Sequence, residues 1–544
     1  MSELTNSTRS NRIISGVMIL TAANIIVKII GFAYKIPLLR ILGENGMAYY
    51  NAAYQIYTWF YTLSTAGLPL AVAKLVAWSR SEGKKGQVKK TLNIALVMFG
   101  AVGLVGSCAM FFFSKPLSQL QNNPDAYISI SMLAPTLFFI CLTSALRGYF
   151  QGHEKMMPTA VSEVIEAASK LALGIMLALY AQNQGLGIAY QAAYAIFGVS
   201  VGAILSTCYL FITKKFFADD KCAPLPASET KSEKSSSLAK SLLNIAIPIS
   251  LSSSVMSIAS LIDTFMMIRT LTSIGVEREV AEGVFGNYTT QCVTMYNLPT
   301  VLILPIAVGI VPFLTEMLQK EDHKGFENIA TSAMKMTNVI SFPCALGLSV
   351  LSYPILLMIF DNDTDRIAPM LSVLAIAVIF VGIVTVTNVI LQTHNKQYLT
   401  LVSIAVGTSV KFICSTVLTG VGGKETLGVL GTPASTVVCY FIAAVMNIIF
   451  VIKHTGVLPS FGRVYMRPLL SALCCAASAG ACYRLLDGVL GVALSALCSI
   501  ILAVVVYVLA IFVFGVITKE DVYLLPKGKK LASILMKFHL LRSN

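Results

Sequence analysis

The sequence predicts an all-α integral membrane protein of about fourteen transmembrane helices, arranged as two parallel six-helix repeats followed by two extra C-terminal helices. Three observations predict it. Hydrophobic residues make up 56% of the 544 and charged residues only 12%, against about 25% charged in a soluble domain. Apolar runs long enough to cross a hydrocarbon core of about 30 Å recur along nearly the whole chain. The first half also has a second copy. Gln151, His153 and Lys155 recur 241 residues later as Gln392, His394 and Lys396, Lys170 recurs as Lys411, and the 68–72 run LPLAV recurs at 304–308 as LPIAV. Duplicated lobes in an apolar chain are a common way to build a carrier, because a site between two halves opens to either side in turn.

Taken in order, the first six spans lie near 13–41, 50–77, 91–113, 127–147, 157–181 and 185–212, and form an N-terminal lobe, 1–213. Residues 214–240 are polar, of mixed charge, and hold two prolines and five serines, the composition of a flexible cytoplasmic linker. Spans near 242–268, 284–314, 328–359, 368–391, 398–419 and 428–452 form the second lobe, 241–453. The eighth and ninth exceed 30 residues, so they must tilt, bend or leave the bilayer. The last two spans, near 465–485 and 489–516 within 454–516, have no counterpart in the repeat. In the tail, 517–544, Leu531, Ile534, Leu535, Phe538 and Leu541 fall at helical spacing among lysines, which predicts an amphipathic helix on the inner surface.

Charge orients the chain. With the N-terminus inside, 27 of the 40 lysines and arginines fall on the cytoplasmic side and 7 outside, leaving Lys28, Lys35, Lys74, Lys170, Lys335 and Lys411 in or beside spans. This bias predicts a cell-membrane protein with both termini cytoplasmic. The net charge of +14 is then a topology signal and points to anionic lipid headgroups rather than nucleic acid. The apolar run after Arg12 is too long for a cleaved signal core and reads as a retained signal anchor. Twelve cysteines without CxxC or Cys/His spacing read as small packing residues, so no metal site is expected.

Buried charge marks the candidate substrate-binding residues. A lysine at bilayer depth costs about 2.5 kcal/mol or more unless it meets a wet cavity or a partner. Lys28 and Lys35 lie seven apart on one face of span 1, Lys74 is on span 2 and Lys411 on span 11. On span 5, Glu163, Glu166 and Lys170 share a face, and Glu166 and Lys170 have the order that favours an ion pair. Glu163 is then left to meet a lysine of span 1. Asp263, the acid deep in span 7, could be a proton or cation site or the partner of Lys411. Five lysines against three acids make a basic interior that suits an anionic phosphate or diphosphate. Tyr50, Tyr54, Tyr57 and Tyr61 fall on one face of span 2, and Asn287, Tyr288, Gln291, Tyr296 and Asn297 lie on span 8. Such groups suit a sugar in a wet cavity, or, for Tyr49 and Tyr50, an interfacial belt. Helix breaks are expected at Gly67 and Pro69 and at Pro305, matching positions of the two repeats. The two histidines of the QxHxK segments read as turn residues. No nucleotide-binding loop is present, which argues against direct coupling to ATP.

Three segments resemble the stage V sporulation protein B and MurJ-type lipid II flippase group of the multidrug/oligosaccharidyl-lipid/polysaccharide exporter superfamily. They are Lys28-Ile29-Ile30-Gly31 with Tyr34-Lys35-Ile36-Pro37, Gly67-Leu68-Pro69 with Ala71, Lys74 and Leu75, and Arg147-Gly148-Tyr149-Phe150-Gln151-Gly152 with Pro158-Thr159-Ala160. The last is the most specific. The resemblance covers essentially the whole chain. It implies fourteen helices, two six-helix lobes, alternating access, and carriage of an undecaprenyl-diphosphate-linked sugar to the outer leaflet, with a lipid-tail groove made by the extra helices. It also implies a monomeric transport unit and no cofactor, the energy coming from a monovalent cation, a proton or the membrane potential. The Gram-negative branch places an Arg-Asp pair after the helix 1 glycine, where this chain has Tyr34 and Lys35. Only Lys28 matches the basic position before that glycine, so identical substrate contacts are not expected. The pattern fits the sporulation-protein-like branch, where housekeeping and sporulation flippases look alike.

The reading is a flippase for a lipid-linked cell-wall precursor, lipid II first. Its alternatives are an exporter of another lipid-linked polysaccharide unit, a multidrug antiporter, and a membrane glycosyltransferase. The last would need its acids in the outward segment Asp361, Asp363 and Asp365.

Overall fold

A computed structural model describes residues 2–216, 234–360, 364–421 and 428–516. Most of the expected linker, the acids Asp361 and Asp363, and the amphipathic tail lie outside the described residues. Helices alone make up the regular structure there: α1 Ser2–Ser81, α2 Lys85–Phe112, α3 Ser114–Leu120, α4 Tyr127–Leu133, α5 Thr136–Gly152, α6 Met157–Asn183, α7 Ile188–Phe216, α8 Ser235–Ser273, α9 Arg278–Asn287, α10 Val293–Gly309, α11 Val311–Gln319, α12 His323–Val350, α13 Ser352–Ile359, α14 Thr364–Thr393, α15 Gln397–Val421, α16 Gly428–Thr455, α17 Arg467–Leu490 and α18 Val492–Val513. Among the described residues ten helical stretches, or eleven with one bent pair, are long and apolar enough to cross a membrane. The chain is a multi-pass membrane protein. The count of fourteen is not reached by this measure: the expected spans 1, 2 and 7 lie in α1 and α8, which are not among these ten or eleven.

Both long spans are interrupted, and span 9 is bent. In span 8 a π-turn, Tyr288–Cys292, joins α9 to α10, and α10 gives way to α11 at Ile310. In span 9, α12 and α13 meet at 78°. Spans 1 and 2 are joined within α1. Inside α1 the residue that leaves helical dihedrals is Gly43, at φ 65° and ψ −178°, a conformation open to glycine. Pro69 and Pro305 both sit inside helices.

Gly67 has a packing role. A Cβ there would lie 2.2 Å from the Ala246 carbonyl oxygen and 2.4 Å from Ser250 Oγ, so its bare backbone seats α8 against α1. Gly148 and Gly152, one turn apart, do the same for α5, with Cβ positions 2.4 Å from the Pro69 carbonyl oxygen and 2.7 Å from Val76 Cβ. Small residues at this spacing let membrane helices approach closely. A buried cluster that includes Val72, Leu75, Leu92, Phe99, Leu146 and Phe150 fills the space around them.

The repeat is visible in the caps. Glu154 and Asn395 take the same left-handed conformation, φ 58° and 57°. Lys155 N–H reaches the Phe150 carbonyl at 3.0 Å, and Lys396 N–H reaches the Leu391 carbonyl at 2.9 Å. This is the cap that ends a helix by closing its last carbonyls, and it agrees with reading both QxHxK segments as turns.

By internal contacts the chain forms two compact units. The first holds α1–α8 up to Thr272 and residues 276–286, and the second holds 273–275 and everything from Asn287 onward. The unit boundary therefore crosses the α9–α10 run beside its π-turn. In the second unit α17 and α18 pack on each other around Cys475, Ala479 and Ala503 with Leu351, and Tyr507 donates to the Val339 carbonyl of α12 at 2.5 Å.

Candidate functional site

The first unit carries a continuous row of tyrosines. From Tyr34 through Tyr50, Tyr54, Tyr57 and Tyr61, successive ring centroids are 6.1, 5.8, 5.6 and 5.7 Å apart. The four on span 2 repeat at three- and four-residue spacing, so one helical face carries them. Tyr34 joins from the segment before Gly43. Its hydroxyl donates to the Ala195 carbonyl at 3.4 Å, and it fits because residue 174 is glycine: a Cβ there would lie 2.5 Å from that hydroxyl oxygen.

Lys170 sits over two rings of the row. Its ammonium lies 4.1 Å from the Tyr54 ring centroid and 5.3 Å from that of Tyr34. The electron-rich ring faces stabilise the cation without neutralising it. Lys35 is close enough to Lys170 for the two charges to interact.

At the Tyr61 end stands Arg147, whose Nη2 pairs with Glu166 Oε2 at 3.0 Å. Its Nε donates to Ser162 Oγ at 2.9 Å, its Nη2 reaches Ser206 Oγ at 3.4 Å, and it lies beside Tyr61, near enough for the two to interact. Arg147 is 5% exposed, and both serines are buried.

This geometry corrects two pairings. The ion-pair partner of Glu166 is Arg147 and not Lys170, because a planar guanidinium reaches Glu166 and two serines together, while Lys170 is drawn to the rings. Glu163 has Arg147 and Glu166 as charged neighbours, rather than a lysine of span 1, and its Oε2 is buried without a hydrogen-bond donor among the described residues. Arg147 also joins the interior charge. Sequence reasoning placed it at the cytoplasmic end of span 4, although its own motif singled it out. The signal available was its place in that motif, five residues before the end of α5.

Other candidates stand apart from this row. Lys28 and Lys74 are exposed. Asp263 is buried in α8 of the first unit. Asn287, Gln291 and Lys411 belong to the second unit and are buried there, and Gln291 Nε2 donates to Asn287 Oδ1 at 3.1 Å. The second unit holds a further polar cluster that sequence reasoning missed. Asn447 donates to Asn388 Oδ1 at 2.7 Å and Thr387 Oγ1 at 3.1 Å, and accepts from Ser403 Oγ at 2.5 Å. Uncharged residues in apolar helices gave no signal by themselves.

Comparison with known proteins assigns the family. The model of the polysaccharide biosynthesis protein family matches residues 13–318, more than half of the chain. The chain belongs to the polysaccharide biosynthesis protein family. Among curated relatives of this family member, stage V sporulation protein B of Bacillus subtilis is 25% identical, over 65% of this chain and 66% of that protein. The lipid II flippase MurJ of the same organism is 24% identical, over 93% of this chain and 94% of MurJ. Among solved structures, a lipid II flippase MurJ in an inward closed conformation superposes with a TM-score of 0.67 at 16% identity, covering 91% of this chain and 98% of that one. An inward-facing multidrug resistance MATE family transporter of the MOP superfamily gives 0.66 at 15% identity, covering 79% and 94%. The fold is the one these transporters share, as the resemblance of the three sequence segments implied.

Proposed function

We propose that this family member is a flippase carrying a lipid-linked cell-wall precursor across the cell membrane, with lipid II as the first candidate. It is a transporter and not an enzyme, in keeping with its family and relatives. The observation that carries the reading is the row from Lys170 and Lys35 along the tyrosines to Arg147. The Lys170 ammonium, resting on rings, remains available to an anionic diphosphate, and tyrosine faces and hydroxyls suit the sugars beyond it. Tyr34 and Lys35 stand where the Gram-negative branch has an Arg-Asp pair, and Tyr34 is part of the seat of Lys170. Cationic recognition in this chain thus draws on span 5 as well as span 1.

Both termini are cytoplasmic in this proposal, on the strength of the charge bias. Transport draws on a cation gradient or the membrane potential, and the transport unit is a monomer. Export of another undecaprenyl-diphosphate-linked unit is the second reading, favoured by the breadth of the family name. One experiment tests both: expression in cells depleted of their own lipid II flippase. Restored growth supports lipid II. Failure to restore growth, at normal membrane abundance, favours another lipid-linked glycan.

A further inference from the structure

The two polar clusters occupy the same positions of the repeat. Adding 241 to Arg147, Ser162 and Ser206 gives Asn388, Ser403 and Asn447. In the first unit Arg147 holds Ser162 and Ser206, and in the second Asn447 holds Asn388 and Ser403. Each cluster ties three consecutive long helices, α5, α6 and α7 in one case and α14, α15 and α16 in the other. The structural task is the same, and the second unit performs it without charge. Glu163 and Glu166 correspond to Ile404 and Gly407, so both acids are peculiar to the first unit. Lys170, by contrast, has its counterpart in Lys411.

A buried ion pair is a poor way to gain stability, because desolvating both partners offsets most of their attraction. With a neutral solution present in the same chain, the charges of the first cluster call for a reason beyond holding helices together. We propose that Arg147 and Glu166 are positioning residues of transport. Arg147 acts through its contact with Tyr61, fixing that end of the tyrosine row, and Glu166 holds the guanidinium in place for this. The inference rests on the proposed substrate only in its ligand readout.

The test replaces the first cluster by the second, as Arg147→Asn, Glu163→Ile, Glu166→Gly and Ser206→Asn in one full-length chain. A second variant, Arg147→Gln with Glu166→Gln, removes the charge and keeps hydrogen-bonding capacity. Membrane abundance and thermal stability are measured first. A positioning role predicts that at least one variant is as abundant as the native protein, with Tm within about 4 °C of it, an interval that separates it from a lost structural tie. Binding of undecaprenyl diphosphate to the purified protein is measured next, and is expected to weaken at least about tenfold, a 1.4 kcal/mol difference, in the folded variant. Loss of fold in both variants would make the pair a structural tie and overturn the proposal, as would a folded variant with native affinity. Should the native protein not bind this probe, the substrate class is wrong. The stability arm still decides whether the charges serve the fold.

Discussion

Lys170 and Tyr54 are in direct contact, with the ammonium 4.1 Å from the ring centroid, and Tyr34 lies 5.3 Å from the same ammonium. Among the described residues no carboxylate pairs with Lys170 at salt-bridge distance. Cation–π contacts of this kind contribute about 0.5–2 kcal/mol, enough to seat the side chain and too little to satisfy it. Lys170→Gln should leave membrane abundance near native and reduce transport at least about tenfold, while Lys170→Arg should keep part of the activity because a guanidinium also rests on rings. The check is abundance by immunoblot beside a flipping rate. Native rates in Lys170→Gln would remove this residue from the site.

Gly286 faces the backbone of α1 even more closely. A Cβ there would lie 2.0 Å from the Glu44 carbonyl oxygen and 2.8 Å from the Ala48 nitrogen. Around it, Tyr49 donates to Glu282 at 3.3 Å and Arg278 pairs with that glutamate at 2.9 Å. Overpacking a fitted contact costs about 1–3 kcal/mol. Gly286→Leu should therefore lower thermal stability or separate residues 278–286 from α1. Faster hydrogen exchange confined to 278–286 and 44–51 would report the separation, and unchanged exchange and stability would refute the contact.

Gly148 makes a built-in comparison. Its counterpart 241 residues on is Val389, so the bare backbone that meets Pro69 has no glycine equivalent in the second unit. Gly148→Val is expected to reduce abundance several-fold, by about 1–3 kcal/mol of steric cost. An equally abundant Gly148→Val protein, quantified in membranes, would contradict the packing described.

His394 titrates below its ordinary range, because burial disfavours the charged ring and His323 and Lys396 add like charge. Its ring also meets Phe326 edge-on, with centroids 4.7 Å apart. A histidine whose folded pKa is depressed contributes stability in full above its unfolded value near 6.5, and that contribution fades as pH falls through it. Unfolding between pH 8 and pH 5 should thus show a loss of stability that His394→Phe reduces. An identical pH dependence in the variant would show that His394 is not its source.

Much of the fold could be read from the chain, because a bilayer demands long apolar runs and the repeat gave internal confirmation. The bend of span 9 is one of the outcomes its length allowed. The break at Gly43 falls between the expected spans 1 and 2, although a single residue with positive φ leaves no mark of its own in hydropathy. In the site, the face shared by Tyr50, Tyr54, Tyr57 and Tyr61 followed from helical spacing. The pairing of Glu166 did not, because sequence spacing sees only partners on the same helix, and Arg147 lies on the preceding one. The cluster of Asn388, Ser403 and Asn447 left no charge to notice, because uncharged side chains in apolar helices form it through hydrogen bonds between helices.

The most direct measurement is translocation of fluorescent lipid II by the purified chain in proteoliposomes, compared with Lys170→Gln at equal incorporation. The account predicts that the native protein moves the lipid between leaflets and that the variant does so at least about tenfold more slowly, an increase of about 1.4 kcal/mol in the barrier. No translocation of lipid II by the native protein, together with movement of a different lipid-linked glycan, would contradict the choice of cargo. Equal rates for both proteins would contradict the assignment of the site.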